Sequence, residues 1–522
     1  MTSVVIPAGA ARVVEHNALV FKRMWRGSMT VSFFTPLFFI ASMGLGLGSL
    51  VNKSSGGVGG VPYIDFLAPG LLAATTMQTA AFECTYPILG KILWDHIYDA
   101  MLATPLVVRD LVVGEVAWVT VRMLMVATIF WIVMAAFGVA HTPESLLAIP
   151  AATLSGLAFA TPLIAFTATQ KNDSVMGTVF RLVITPLFIF GGAFFPISRL
   201  PLLLQWVAWA TPLSHGVALS RGLVLGTLAI PDAALHLCRS ARLHGGGSSH
   251  RPAPAQPEAR QVSIRTLRMP TRSIHVIERN LVLFPHFWKV LAAGFVEPVL
   301  YLLGIGFGIG SLIRTIDVGG GHTVSYAVFV APALMASSAM NGAIYETTMN
   351  MFFKLRHAKL YDSMVATPVG VEDVAAGEVI WAVARGSVYS VGFLVVMLAL
   401  GLVASPWAIL AIPAALLVGI AFAALGSAVT TFIRQWQDLD IIQLALQPMF
   451  LFSATFFPIT VYPPALRFLV ELTPLYHGID LIRGLTTGAI GPGLLVDIAY
   501  LAALGVLGVT VAAMRLRTQL IK

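Results

Sequence analysis

The chain is 522 residues long, with 57% hydrophobic and only 11% charged residues. Soluble domains have roughly 45 to 50% apolar and about 25% charged residues, so this composition excludes a soluble globular protein and indicates an integral membrane protein. The net charge of +8 does not by itself indicate nucleic-acid binding, because in a membrane protein the position of the charges matters more than their sum.

Several apolar runs predict membrane-spanning helices. A spanning helix needs about 20 apolar residues, and four runs approach or exceed that length, at residues 31–50, 116–138, 146–169 and 394–418. These runs are too many and too long for the strands of a β-barrel. The segment before the first run is basic and aromatic, and no small-residue cleavage site follows it promptly, so we expect no cleaved signal peptide.

Most of the sequence is written twice in the same orientation. Residues 98–105 read YDAMLATP and residues 361–368 read YDSMVATP. Further matching words keep the same order: VVEHN with VIERN, MGLGLGSL with IGFGIGSL, GEVAW with GEVIW, FFPI with FFPI, TPLSHG with TPLYHG, and RGLVLG with RGLTTG. A repeat of this kind predicts two homologous halves.

Each half is predicted to be an all-α membrane unit of about six spans. It contains a basic amphipathic leading segment, span one, a short polar loop, span two, a loop that ends in Ala-Thr-Pro (the ATP loop), and spans three, four and five. A stretch broken by Pro, Gly, His and Arg follows, and the second half closes with a sixth span at residues 494–514. We therefore predict a first half at residues 1–230, a linker at 231–270 and a second half at 271–522.

The first half lacks a clean sixth span. Residues 231–261 are basic and rich in Gly, Ser and Pro, which is typical of a linker. Five crossings would invert the second half, yet the positive-inside rule gives both halves a cytoplasmic start. We expect either that residues 216–238 cross as a poor sixth span or that the first half is a damaged copy. The basic residues that set this orientation are Lys22, Arg23, Arg26, Lys91, Lys171, Lys289, Lys354, Arg356, Lys359, Arg434, Arg515, Arg517 and Lys522.

The repeated words together resemble the type-2 ATP-binding-cassette export permeases, in particular those for nodulation lipo-oligosaccharides and daunorubicin-type drugs. The resemblance covers both halves apart from the linker and the missing span. It implies a pseudo-twofold axis along the membrane normal, outward transport of an amphiphilic cargo, and two cytoplasmic ATPase subunits. The chain has no G-x-x-x-x-G-K-[ST] sequence to cradle ATP phosphates. We therefore expect no cofactor on this chain and ATP on a partner subunit.

The resemblance also implies that each ATP loop docks on one ATPase subunit. Pro105 and Pro368 can begin a short helix at its first turn, and the surrounding residues of mixed charge suit a protein partner. The alternative is a solvated loop that only joins two spans. The predicted docking residues are Tyr98, Asp99, Thr104, Pro105, Arg109, Asp110, Tyr361, Asp362, Thr367, Pro368 and Asp373.

Span three of each half carries a pair of ionisable residues. Glu115 and Arg122 lie seven residues apart, which is two turns along one helix face, and Glu378 and Arg385 repeat the spacing. Ionisable groups within a membrane usually face the protein interior and pair. We expect these pairs either to line the transport path or to hold the spans together.

Two more repeated features concern spans one and two. The acidic residues at the end of span two are expected either to bind the leading segment or to lie at headgroup level in water: Glu83 and Glu346. Glycines with small-xxx-small spacing allow close helix approach and predict packing between the halves. These glycines are Gly44 with Gly48, and Gly306 with Gly310.

The broken stretch after span five is expected, from the resemblance, to form short re-entrant helices near the outer face. Its Pro and Gly content suits irregular backbone buried within protein. Its arginines are expected either to meet an anionic headgroup or to act as interfacial anchors. The candidate residues are Pro196, Pro212, His215, Arg221, Pro458, Pro474, His477 and Arg483.

The sequence carries no convergent set of nucleophile, base or metal ligands, so we expect a permease and neither an enzyme nor a metal site. Cys84 and Cys238 cannot form a disulfide framework and receive no role. The expected partners are two ATPase subunits and membrane lipid, at the cell membrane with a cytoplasmic N-terminus and without nucleic acid. The alternatives are an ion-coupled secondary transporter, because parallel repeats also build those, and a membrane fusion that transports nothing.

Overall fold

The structure is a computed structural model that describes residues 8–171, 174–227, 273–283, 296, 299–313, 315–317, 323–357, 359–433 and 438–520. The predicted linker at 231–270 lies outside the described residues, as do Cys238, Lys289 and Arg434. Of the predicted poor sixth span at 216–238, residues 216–225 belong to the helix Pro212–Leu225, which stops before Gly226, and residues 228–238 lie outside the described residues.

The first half begins with one helix that is continuous from Ala8 to Ser55 and contains a π-helical segment at Ile40–Leu47. The basic leading segment and span one of the first half are therefore parts of one helix. A helix of 48 residues is about 70 Å long. The hydrocarbon core is about 30 Å thick, so much of this helix must extend beyond it.

The remaining helices of the first half follow in close succession. They are Tyr63–Glu83, Tyr86–Leu93, Ile97–Leu102, Val108–Ala136, Ala148–Thr167, Ser174–Val179, Thr185–Phe190, Leu202–Trp209 and Pro212–Leu225. A π-helical segment at Phe180–Ile184 joins the two helices on either side of it, and 3-10 turns occupy Pro143–Leu147 and Ile197–Arg199.

The second half repeats this order. Its helices are Ser273–Leu283, Gly310–Ile313, Tyr326–Tyr345, Leu360–Val365, Val371–Ala399, Ala411–Thr430, Leu439–Phe452, Pro464–Glu471, Pro474–Thr487 and Gly493–Leu520. Its π-helical segments are Leu302–Ile309, Glu346–Asn350 and Phe353–His357, and its 3-10 turns are Pro406–Leu410 and Ile459–Val461. Two short antiparallel strands, Thr315–Asp317 and Thr323–Ser325, join spans one and two.

Seven helices among the described residues are long and apolar enough to cross a membrane. They are Ala8–Ser55, Val108–Ala136, Pro143–Thr167, Tyr326–Arg356, Val371–Ala399, Pro406–Thr430 and Gly493–Gln519. Span two of the first half, Tyr63–Glu83, is less apolar because it carries Thr75, Thr76, Gln78 and Thr79, but most of its residues are buried in protein. The predicted all-α membrane fold with two repeated halves is confirmed.

Close approach of spans two and four organises each half. A Cβ atom added at Gly156 of span four would lie 3.1 Å from the carbonyl oxygen of Thr76 and closer still to the Met123 sulfur, so any larger residue would be crowded there. The Thr76 hydroxyl donates to the Ala152 carbonyl across the same contact, at 2.9 Å. At the other end of the same helix pair, the Thr167 hydroxyl donates to the Cys84 carbonyl in the first half. In the second half the Thr430 hydroxyl donates to the Thr347 carbonyl, and both distances are 2.8 Å.

Each half has a loop end, which carries the ATP loop, and a far end, where span two begins. The two halves contact one another at both ends. At the loop end the Trp94 and Phe353 rings meet edge to face with centroids 5.0 Å apart. Towards the far end the Ser42 hydroxyl donates to the Leu451 carbonyl at 2.7 Å. The halves therefore form one bundle in which they face each other.

The glycines of span one do not all pack as the sequence predicted. A Cβ atom at Gly44 or Gly48 would meet Ile64 or Tyr63 of its own half, at 2.9 and 3.4 Å. Gly306 and Gly310 likewise face their own span two. The predicted packing of these four glycines between the halves is therefore wrong. Residues at i and i+2 lie on different helix faces. The middle glycines of the two repeated sequences, Gly46 and Gly308, therefore lie on another face of span one.

Candidate functional site

The two ATP loops have the same backbone construction. A short helix, Ile97–Leu102 or Leu360–Val365, follows a residue with positive φ, namely His96 at 50° and Lys359 at 45°. Side chains close the turn that follows, because Thr104 donates to the Met101 carbonyl and Thr367 to the Met364 carbonyl, both at 2.6 Å. The loops are thus ordered in the same way in both halves.

The prolines of the ATP loops do not begin a helix. Pro105 lies in the turn after the short helix, and span three starts three residues later at Val108; Pro368 and Val371 repeat this arrangement. The prediction of a first-turn position is therefore wrong. Asp110 caps span three instead, because its carboxylate accepts from the Val107 amide at 3.3 Å. Asp373 accepts from the Gly370 amide in the same way, at 3.0 Å.

A buried polar cluster lies directly behind the first ATP loop. The Lys91 ammonium donates to Glu115 of span three at 2.7 Å and to Asn17 of the leading helix at 2.9 Å. Glu115 is 4% exposed. Nearby, the Arg122 guanidinium donates to Glu83 of span two at 2.8 Å. We call these five residues the first polar cluster.

The second half repeats this arrangement as the second polar cluster. Lys354 donates to Glu378 at 2.6 Å, and Arg385 donates to Glu346 at the same distance. Asn350 adds a hydrogen bond to Glu346 at 2.8 Å. Glu378 and Glu346 are 1% and 4% exposed. A buried charge is stable only with a partner, and here every buried glutamate has a lysine or arginine.

The ionisable residues of span three do not pair with each other but join span three to the span-two region, which corresponds to the alternative in which they hold the spans together. Glu115 and Arg122 each bind a residue from the span-two region, and so do Glu378 and Arg385. Seven residues of helix separate the two members of a predicted pair by about 10 Å, which is too far for an ion pair. Glu83 and Glu346, expected either to bind the leading segment or to lie in water, instead bind Arg122 and Arg385 of span three.

The tyrosine of each ATP loop reaches the polar cluster behind it. Tyr361 is fully buried. Burial, and then the negative charge of Glu378, raise the pKa of its hydroxyl. Tyr98 is partly buried, and burial followed by the charge of Glu115 raises the pKa of its hydroxyl as well. Each loop is therefore in electrostatic contact with the glutamate of span three.

The outer faces of the ATP loops point away from the protein. Asp99 forms a pair with His96 at 3.0 Å that is open to solvent. Three apolar side chains are exposed beside it: Leu102 at 41%, Val107 at 56% and Val108 at 63%. The other predicted loop residues that are exposed are Thr104, Pro105, Arg109, Asp362, Thr367 and Pro368.

At the far end, a buried arginine holds the turn that contains the FFP sequence. Arg221 donates to the carbonyls of Phe66 and Gly192 at 2.9 and 2.8 Å, and its guanidinium lies 3.7 Å from the centre of the Phe66 ring. Tyr63 donates to the Phe194 carbonyl at 2.9 Å. These bonds fix the turn against span two.

The second half uses the same three contacts. Arg483 donates to the Phe329 and Ala454 carbonyls at 3.2 and 2.8 Å and lies 3.9 Å from the Phe329 ring centre. Tyr326 donates to the Phe456 carbonyl at 3.1 Å. The sequence predicted that these arginines meet an anionic headgroup or act as interfacial anchors. Both predictions are wrong, because the guanidinium groups donate to protein carbonyls.

The histidines and prolines of the far end have structural surroundings. Pro212 and Pro474 occupy the first position of their helices, where a missing amide proton has no consequence. Pro196 and Pro458 precede 3-10 turns. The histidines differ between halves. His215 is buried beside Trp209, whereas His477 binds Asp497 of the sixth span at 2.7 Å and stacks on Tyr500.

Sequence reasoning missed several contributors to these sites. The repeated word Y-x-x-F-x-A-P at residues 63–69 and 326–332 marks Tyr63 and Tyr326, and the final letter of VVEHN marks Asn17. Within the described part of the chain, no group of three or more His, Cys, Asp or Glu residues is placed to hold a metal ion.

These features define a class of protein: a polytopic membrane protein with two facing halves, paired loops of the same construction and paired polar clusters. The model of the ABC-2 type transporter family matches residues 17–225 and 273–486. The chain belongs to this family, and the resemblance found in the sequence is confirmed.

Curated relatives match about half of the chain. Nodulation protein J of Rhizobium leguminosarum bv. viciae is 34% identical over 235 residues, which is 44% of this chain and 89% of that protein. Nodulation protein J of Neorhizobium galegae is 32% identical over 235 residues, 44% of this chain and 88% of that protein. The protein of the same name from Bradyrhizobium diazoefficiens is 32% identical over 236 residues, 45% and 88% respectively. Each of these relatives is about as long as one half of this chain, as expected if the chain contains a duplicated permease.

Proposed function

We propose that this chain supplies both halves of the membrane permease of an ATP-driven exporter. Two separate ATPase subunits would dock on the two ATP loops, and an amphiphilic cargo would move outward between the halves. The observation that carries the proposal is the packing of each loop tyrosine against span three: Tyr98 packs against the buried cluster that contains Val119, and Tyr361 lies in the buried cluster that contains Val374. A force on the loop is thereby passed to span three.

The loops suit an ATPase partner because they have a defined backbone conformation and an exposed surface that carries both positive and negative charges. Each carries exposed charges, Asp99 and Arg109 in one loop and Asp362 and Glu372 in the other. The exposed apolar residues Val107 and Val108 of the first loop add area that a partner would cover. Two loops of the same construction imply two docking events and hence two ATPase subunits.

A cytoplasmic location of the loop end follows from charge. Lys22, Arg23 and Arg26 are exposed on the leading helix, and Arg515 and Arg517 lie in the last turns of the sixth span. The positive-inside rule places such residues in the cytoplasm. The N-terminus and the ATP loops would then share the side on which ATP is found.

The cargo class is proposed from the spans that face between the halves. Span one at Ile40–Leu47 and Leu302–Ile309 consists of apolar residues, serine and glycine. An apolar path suits a molecule with a lipid-like or drug-like part better than a free sugar. A lipid, a lipid-linked saccharide or an amphiphilic drug meets this description.

Reversing the charges of the loop surface is expected to abolish ATPase binding. The variant combines Asp99→Arg, Arg109→Glu, Asp362→Arg and Glu372→Arg, and the tagged protein is purified in mild detergent and its companions identified by mass spectrometry. A P-loop ATPase should accompany the parent and be reduced at least about tenfold with the variant, because like charges across an interface are repelled. A control with reversed far-end charges, Lys53→Glu with Arg199→Glu, should retain the ATPase. Absence of an ATPase from all three preparations, namely the parent, the loop variant and the far-end control, would favour an ion-coupled transporter.

Removing the two loop hydroxyls should uncouple the ATPase without releasing it. In Tyr98→Phe with Tyr361→Phe, the loop surface and the ring packing are unchanged, but each loop loses the hydroxyl that lies in the field of Glu115 or Glu378. We expect the ATPase to co-purify with the variant. The stimulation of its ATP hydrolysis by the permease should fall by about tenfold, which is a typical strength of coupling between two sites. Tyr462→Phe is the matched control, because its hydroxyl bonds the Phe452 carbonyl at the far end. Full stimulation in the double variant would contradict this route of coupling.

A further inference from the structure

The middle glycine of span one in each half contacts the opposite half. A Cβ atom added at Gly46 would clash with the tip of the Phe457 ring, and one added at Gly308 would lie 2.5 Å from Cε1 of Phe195. These two phenylalanines are the second Phe of the FFP sequence in each half. Both rings are buried, at 0% and 2% exposure. The contact therefore occurs twice, with the halves exchanging roles.

The backbone at these glycines is adapted to receive a ring. Both lie in π-helical segments, Ile40–Leu47 and Leu302–Ile309. A π-helical segment often marks a functional site in a helix. The glycines on either side face span two of their own half, as described above, whereas Gly46 and Gly308 leave a notch on the face of span one that meets the opposite half.

The ring that enters each notch is held from behind. The turn before Phe195 is bound by Arg221 and Tyr63 through the Gly192 and Phe194 carbonyls. The turn before Phe457 is bound by Arg483 and Tyr326 in the same way. The two arginines thus position the phenylalanines and keep them from retracting into their own half.

A second pair of contacts flanks the first. Ser42 donates to the Leu451 carbonyl of the opposite half at 2.7 Å. In the reciprocal place, a Cβ atom at Gly304 would overlap the Ile189 side chain. Together the four contacts close the space between the halves at the far end, three of them through apolar side chains and one through the Ser42 hydrogen bond.

We infer that Gly46 with Phe457 and Gly308 with Phe195 form the gate at the far end of the transport path. The inference rests on the proposed function, because a gate requires a path between the halves. In the closed state each ring fills the notch of the opposite span one. Opening requires both rings to leave their notches, so the two halves must open together.

The gate predicts a leak that needs no ATPase. The variant Phe195→Ala with Phe457→Ala, reconstituted alone into liposomes, should release a trapped small dye at least about tenfold faster than the parent, because two buried phenyl rings stabilise the closed contact. The matched control is Phe130→Ala with Phe393→Ala. These rings are equally buried and occupy equivalent places in span three. Equal leak from both variants, or from neither, would overturn the gate.

Crosslinking tests the contact itself, whatever the variant's stability. In a Cys84→Ser, Cys238→Ser background with a protease site inserted within residues 231–270, Gly46→Cys with Phe457→Cys should be joined by a short bifunctional thiol reagent, so that the cut halves stay together. Gly44→Cys with Phe457→Cys should be joined at least about fivefold less, since Gly44 faces another side of the helix. Equal yields would contradict the notch. Neither assay uses ATP, so failure to find an ATPase leaves both results meaningful.

Discussion

Lys354→Met is expected to destabilise the protein by about 3 to 5 kcal/mol, the usual effect of removing one partner of a buried ion pair. Lys354 is the partner of Glu378, which is 1% exposed, at 2.6 Å. The methionine keeps most of the side-chain volume, so the loss is electrostatic. Thermal unfolding in detergent, followed by the fraction that stays monodisperse after heating, measures the effect.

Two controls separate the buried charge from general damage. Lys354→Met combined with Glu378→Gln should recover most of the lost stability, because no uncompensated charge stays buried. Asp99→Asn removes one partner of the exposed His96 pair and should leave stability unchanged, since exposed ion pairs contribute little. The interpretation is wrong if the single variant is as stable as the parent, or if the double variant is no better than the single one.

Arg483→Ala is expected to prevent accumulation of the folded protein. The change removes the hydrogen bonds to the Phe329 and Ala454 carbonyls and the contact with the Phe329 ring. Each buried polar group left without a partner costs about 1 to 3 kcal/mol, and the loss of the ring contact adds to this. The yield of monodisperse protein after solubilisation measures the effect.

Arg483→Lys should not restore the fold, because one ammonium group lacks the planar fork that bonds two separated carbonyls. Arg467→Ala is the matched control. Arg467 also donates to two carbonyls, those of Tyr462 and Thr460, but closer to the surface, and its loss should be tolerated. Normal yield of the Arg483→Ala variant would show that other bonds hold the FFP turn.

The sequence by itself determined the membrane class, the duplication and the family. Spans of about 20 apolar residues and repeated words require no knowledge of packing, because they follow from the thickness of the bilayer and from the order of the letters. Repetition also selected useful residues: Glu115, Arg122, Arg221 and the tyrosines of the ATP loops all lie in places that the structure uses.

Only the tertiary structure decided which residues meet. Glu115 binds Lys91 and Arg122 binds Glu83, although their spacing on one helix suggested a pair. Glycine spacing predicted the wrong faces of span one, and the glycine between them faces the other half. The reason is that periodicity describes one helix at a time. The partner of a buried charge, and the ring that fills a notch, are set by how separate helices are brought together.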